Sequence, residues 1–218
     1  MTINNLGIIY CYQGEFEKGA EYFKKSYQIE YNLNNKKGVS ECLNNIGAAY
    51  FYMDKIDSAL NYFESALTIE KELGDVVGIA GSLVNLGELY TQTGQFERAE
   101  EYLLEVIVIT EENNIAAEYQ DGLFNLSTLY EAKGDLVNAL IYQRKFQSVR
   151  DSILSITKSE QIAEMQTKYE TQKKEKQIAE QKSELAIKEA RVQRRNLQLV
   201  MLGGGVFVIL LITTIVYI

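Results

Sequence analysis

Histidine, proline and tryptophan are absent from the 218 residues, and cysteine occurs only twice. Without imidazole the chain has no Ser-His or Cys-His nucleophile pair, no histidine metal ligand and no phospho-accepting histidine. Two thiols cannot build a disulfide framework or a four-thiolate metal site. The missing proline also constrains the fold, because proline punctuates turns and loops in most mixed architectures. Helices joined by short Gly, Asn or Asp turns are what remain. Carboxylate pairs such as Glu100-Glu101 and Glu111-Glu112 fall on exposed helical faces without a pocket signal, so no enzymatic activity, cofactor or metal is expected.

Charge is unevenly spread. Residues 1–156 hold 12 Lys+Arg against 23 Asp+Glu, a balance of -11, whereas residues 157–218 hold 10 against 7, or +3. The overall -8 therefore joins an acidic body to a mildly basic tail.

The body repeats every 40 residues. Asn5-Leu6-Gly7, Asn45-Ile46-Gly47, Asn85-Leu86-Gly87 and Asn125-Leu126-Ser127 are each followed by a tyrosine in register: Tyr10, Tyr50, Tyr90 and Tyr130. Four residues after each tyrosine comes a turn residue (Gly14, Asp54, Gly94, Gly134). A small residue (Gly19, Ala59, Ala99, Ala139) and a second tyrosine (Tyr22, Tyr62, Tyr102, Tyr142) follow. Each unit reads as two amphipathic helices: Leu83, Leu86, Gly87 and Tyr90 share one face, and Phe96, Ala99, Tyr102, Leu103 and Val106 share the next. Neither stripe can be buried alone, so consecutive pairs must stack. The expected fold is all-α, a solenoid of about four helix pairs over 1–154, a helical, coiled-coil-like stalk over 155–196, and a transmembrane helix over 197–218.

The pattern Leu-Gly-x-x-Tyr, then Gly, then small-x-x-Tyr-Phe resembles the tetratricopeptide repeat (TPR) over residues 2 to about 153. The period of 40 resembles the longer variety found in kinesin light chains and spindle-orientation adaptors. In that variety Glu70-Lys71-Glu72-Leu73-Gly74-Asp75 occupies the inter-repeat turn. The family proline that closes the second helix is replaced by Tyr31, Lys71, Glu111 and Asp151, which leaves the geometry of that turn open. Met1-Thr2-Ile3 enters the apolar pattern without a cap, so upstream sequence is expected.

In the tail, Glu164 with Lys168, Glu170 with Lys174, and Glu184 with Lys188 are helix-stabilising pairs four apart. Ile178, Leu185, Val192 and Leu199 recur every seven residues, but Lys174, Gln181, Lys188 and Arg195 fill the complementary positions. A homodimer through the stalk and a single charge-paired helix both fit. From Asn196 to Ile218 no residue is charged, and residues 199–218 are long enough to span a bilayer as a helix. The segment from Glu164 to Ile178 resembles the linker of bacterial membrane sensors in which TPRs precede a helix, one span, and a histidine kinase or helix-turn-helix output domain. That resemblance implies a single-pass protein of the bacterial inner membrane. It places the repeats outside, whereas Lys188, Arg191, Arg194 and Arg195 before the span would place them inside.

TPRs curve so that the first helix of each pair lines a concave groove. Carrying that register over gives a peptide-binding groove of Asn5, Tyr12, Asn44, Asn45, Phe51, Tyr52, Asn85, Glu88, Phe124 and Asn125. The amide column at Asn5, Asn45, Asn85 and Asn125 could hold a peptide backbone or bond neighbouring helices. Eight of the 15 tyrosines fall in the two repeat columns and read as packing residues, leaving Tyr12, Phe51, Tyr52 and Phe124 as groove anchors. The first helices are expected to carry no Lys or Arg before Lys133, while Glu41, Glu88, Asp121 and Glu131 bias the groove negative. That bias favours a basic or amphipathic protein or peptide partner and disfavours nucleic acid. Cys11 and Cys42 should be free thiols. The functional expectation is a membrane-anchored interaction module forming the input portion of a signalling protein; the alternative is a tail-anchored adaptor for assembly or transport.

Overall fold

The structure, a computed structural model, describes the backbone of residues 3–216 and the side chains of residues 3–202 and 212. Among these residues every regular element is a helix: α1 (Ile3–Tyr12), α2 (Phe16–Asn32), α3 (Lys36–Tyr52), α4 (Ile56–Leu73), α5 (Val76–Gln92), α6 (Phe96–Asn113), α7 (Ala116–Ala132) and α8 (Leu136–Val216). Two compact units divide at Ser155.

In the first unit each helix stops on a residue with left-handed backbone. Within pairs these are Gly14, Asp54, Gly94 and Gly134, and between pairs they are Asn34, Gly74 and Asn114. All seven turns close alike. The amide of the residue after the left-handed one donates to the carbonyl five positions back, as in Glu15 to Tyr10, Asn35 to Glu30, Gln95 to Tyr90 and Ile115 to Thr110, at 2.9, 2.9, 2.8 and 2.9 Å. This arrangement satisfies carbonyls that a helix end would leave unpaired. The inter-repeat turn therefore needs no proline: Asn34, Gly74 and Asn114 reverse the chain at the place that proline closes elsewhere.

Tight approach between paired helices requires the glycines of the repeated Asn-Leu/Ile-Gly strings. A Cβ on Gly47 would lie 2.7 Å from the Phe63 ring, and one on Gly87 would lie 2.5 Å from the Leu103 side chain. The core runs through the stack along Phe63, Leu83, Leu86, Leu103, Leu126 and Leu129, each at most 1% exposed. The tyrosine columns pack as anticipated, ring on ring: Tyr10 with Tyr22, Tyr50 with Tyr62, Tyr90 with Tyr102, and Tyr130 with Tyr142, at centroid distances of 5.1, 5.5, 5.6 and 5.4 Å. A cation caps several of these stacks, including Lys18 over Tyr10 and Arg98 over Tyr90. The backbones of α1, α3, α5 and α7 approach one another in order, whereas those of α2, α4 and α6 stand farther apart. The first helices consequently form the inner, concave row.

In the second unit the described residues 156–202 are helical and exposed throughout. Ile178, Leu185, Val192 and Leu199 all present their side chains to solvent.

Among the described residues no helix is long and apolar enough to cross a membrane. This corrects the expected transmembrane helix over 197–218, the membrane attachment through 199–218 and the single-pass inner-membrane localisation. Of the expected span, residues 203–211 and 213–218 lie outside the residues whose side chains are described.

Candidate functional site

The inner row carries two adjoining cavities, and both have Asn45 in their wall. The first, about 440 Å³, is bounded by Ile8, Cys11 and Tyr12 from α1, Phe16 from α2, and Ala48 and Tyr52 from α3. Tyr12 is 89% exposed and Tyr52 60% exposed, so two aromatic rings stand at its mouth. Tyr52 is held there by stacking on Phe16 at 5.2 Å. Burial raises the Tyr52 hydroxyl pKa, and the charge of Glu88 on the neighbouring α5 adds to the rise.

The second cavity, about 380 Å³, lies among α1, α3 and α5 and is polar. Its floor is a network across three helices. Ser82 Oγ on α5 donates to Glu70 Oε2 on α4 at 2.5 Å, and Asn44 Nδ2 on α3 donates to Glu70 Oε1 at 2.8 Å. Asn85 Nδ2 reaches Asn44 Oδ1 at 3.4 Å. Glu70 is 1% exposed and its donors are neutral, so burial raises its carboxyl pKa while the hydrogen bonds from Ser82, Ser40 and Asn44 oppose the rise. Gly78 makes the room for it, since a Cβ there would lie 2.9 Å from the Glu70 carboxyl carbon. At the rim Lys37 Nζ binds Asp75 Oδ2 at 2.9 Å, and Asp75 also caps α5 by accepting from the Gly78 amide. Lys37 holds the Asp75 carboxyl below its ordinary value.

The predicted groove residues do not share one place. Tyr12, Asn45 and Tyr52 bound the first cavity, and Asn44, Asn45 and Asn85 bound the second. Glu88 and Phe124 lie on the inner row outside both cavities; Glu88 is half-buried, and burial raises its pKa. The Phe124 ring, 48% exposed, packs on Phe146 of α8 at 5.4 Å. Phe51 does not face the groove. It is 7% exposed within the main core, because its position on α3 points between the helix layers.

The amide column is largely spent on neighbouring groups. Asn45 Nδ2 donates to Asn4 Oδ1 at 3.1 Å, and Asn125 Nδ2 donates to the Asp121 carbonyl of its own helix at 3.0 Å. Asn5 is exposed on α1. The expectation of first helices without cations before Lys133 is also corrected. Asn35 accepts from the Gly38 amide and starts α3 at Lys36, bringing Lys36 and Lys37 onto the inner row. Both thiols are free, Cys11 half-buried and Cys42 buried.

Lys37, Glu70 and Asp75 line the second cavity although the sequence pattern did not single them out for the groove, and Ser82 lies buried beneath it. Glu70 sits in the segment assigned to the inter-repeat turn, yet the helix continues through it to Leu73. The available signal was the column Glu30 and Glu70, each followed eight residues later by a glycine, Gly38 and Gly78.

A tetratricopeptide repeat family profile matches residues 1–72 and, in a second alignment, residues 39–112. A search of curated proteins returns no match. Among solved structures the chain is similar to BtubC (BKLC) from P. vanneervenii, at 22% identity and a TM-score of 0.59, covering 69% of this chain and 63% of that one. It is similar to the apo form of RapI at 21% identity and a TM-score of 0.62, covering 70% and 56%. A third likeness is to MamA, at 20% identity and a TM-score of 0.51, covering 70% and 79%. These likenesses are of fold, and the chain spans less than two thirds of the length of BtubC and RapI.

Proposed function

Because the chain belongs to the tetratricopeptide repeat family, we propose that it is a protein-interaction module whose inner groove binds a segment of a protein or peptide partner. The observation that carries this reading is the cavity of about 440 Å³ between α1 and α3 with Tyr12 and Tyr52 exposed at its mouth. Rigid aromatic rings beside an apolar recess offer contact area at small entropic cost, and such anchors dominate binding at interfaces. Stacked helix pairs supply the extended concave surface that repeat proteins use for partners. The reading assigns no reaction to the chain.

The resemblance of residues 164–178 to sensor linkers supports a place for this binding in signalling. The exposed seam of Ile178, Leu185, Val192 and Leu199 supports pairing of two copies through the stalk.

Partner capture from lysate with the full chain and with the Tyr12→Ala/Tyr52→Ala variant tests the groove, followed by calorimetry with the purified partner. Binding at least tenfold weaker in the variant is expected. A partner held equally by both proteins would remove the groove from the function.

A further inference from the structure

The two cavities that meet at Asn45 differ in charge as well as in position. The residues around the first carry no ionisable carboxylate or ammonium group. The second is walled by Glu41, Glu70 and Asp75, with Lys37 as its one cation among the described residues. Lys37 is already bonded to Asp75, and among the described residues neither Glu41 nor Glu70 forms a salt bridge. The hydrogen bonds to buried Glu70 come from neutral groups, Ser82, Ser40 and Asn44, and the Lys37 ammonium acts on it only from beyond ion-pair distance. A desolvated carboxylate without a directly paired cation is held at a cost that an incoming positive charge relieves, while a negative ligand would be repelled by both acids. Between the cavities Asn45 donates to Asn4, and its own side-chain carbonyl accepts no hydrogen bond among the described residues, leaving it able to accept a ligand N–H.

We infer that the groove takes an amphipathic peptide segment that seats an apolar side chain in the first cavity and a lysine or arginine side chain in the second, bridged at Asn45. The inference rests on the groove reading above and adds the chemistry of the occupant. The apolar recess alone would accept many hydrophobic segments. The acidic compartment beside it selects those with a basic residue nearby, by charge complementarity.

The test is selection of a phage-displayed library of 12-residue peptides on the immobilised full chain, then titration of the enriched sequences as synthetic peptides. Enriched peptides should carry Lys or Arg within about four residues of a Leu, Phe, Tyr or Trp, the reach of one helical turn. Replacing that Lys or Arg by norleucine should weaken binding at least tenfold, as should Glu41→Gln/Glu70→Gln. Tyr12→Ala should weaken it comparably, and Glu101→Gln should leave it unchanged. Glu41 is exposed, so Glu41→Lys alone repeats the charge test should the double variant fold poorly. Enriched peptides that are neutral or acidic at that position, yet lose affinity with Tyr12→Ala, would overturn the cationic inference and leave the groove reading standing. Failure to enrich any peptide, or binding indifferent to Tyr12→Ala, would overturn both.

Discussion

Ser82 Oγ lies 2.5 Å from Glu70 Oε2, joining α5 to α4 beneath the groove through a hydroxyl and a carboxylate that are both buried. The contact stabilises the charged carboxylate, but burial outweighs it and the net shift of the Glu70 pKa is upward from the ordinary value of 4.5.

That shift has a defined sign. Between the ordinary value and the raised one, the folded chain binds more protons than the unfolded chain, so Glu70 adds stability as pH falls through this window and withdraws it as pH rises. Asp75, whose pKa is lowered by Lys37, acts oppositely and loses its contribution as pH falls toward and below its own folded value. Urea midpoints of the wild type and Glu70→Gln at pH 7 and pH 5 should show a gain on acidification that the variant lacks. Equal changes in both proteins would remove Glu70 from the pH response.

The Tyr90 and Tyr102 rings stack with 4° between their planes, and Tyr90 is 3% exposed. Tyr90→Ala is expected to cost about 3–5 kcal/mol, the range for truncating a buried aromatic. Tyr31, 61% exposed and outside the repeat columns, should cost less than about 1 kcal/mol when truncated, as surface changes do. Chemical denaturation distinguishes the two.

Two glycines of α5 should respond to alanine in opposite directions. On Gly87 a Cβ would enter the Leu103 side chain at 2.5 Å, and the overpacking should cost about 1–3 kcal/mol. On Gly81 a Cβ meets nothing within 4 Å, so Gly81→Ala should raise stability by about 0.4–1 kcal/mol through the unfolded chain. Thermal melts in the reverse order would contradict the packing described for α5 and α6.

Stalk pairing predicts that the full chain sediments as a dimer and that Leu185→Glu/Val192→Glu returns it to a monomer, with the first unit's fold unchanged. A wild-type monomer at tens of micromolar would argue for a single charge-paired helix.

The repeat was legible because its signal is local and recurs: Leu86, Gly87 and Tyr90 sit within one turn of each other, and the spacing repeats in every unit. The turns followed from Gly14, Asp54, Gly94 and Gly134 for the same reason. Phe51 was misplaced by extending the groove register to a residue whose burial is decided by the packing of α3 within the core. Glu70 was marked only by its recurrence with Glu30, each eight residues before a glycine. Its setting is made by Asn44 and Ser82, 26 and 12 residues away, which that recurrence does not identify. Lys37 entered the groove because the Asn35 cap moves the start of α3 to Lys36, earlier than the apolar periodicity alone indicates.

The seven matching left-handed turns make the chain tolerant of changes in length, but only in steps of one repeat. Excising a stretch between equivalent turns, such as residues 35–74, would join two ends that already share the same backbone conformation, since Asn34 and Gly74 both sit at positive φ. Such a join would shorten the groove by one rung. Cutting at half that interval would instead bring an inner helix where an outer one belongs. Recombination among copies could thus lengthen or shorten the binding surface while every junction keeps its geometry.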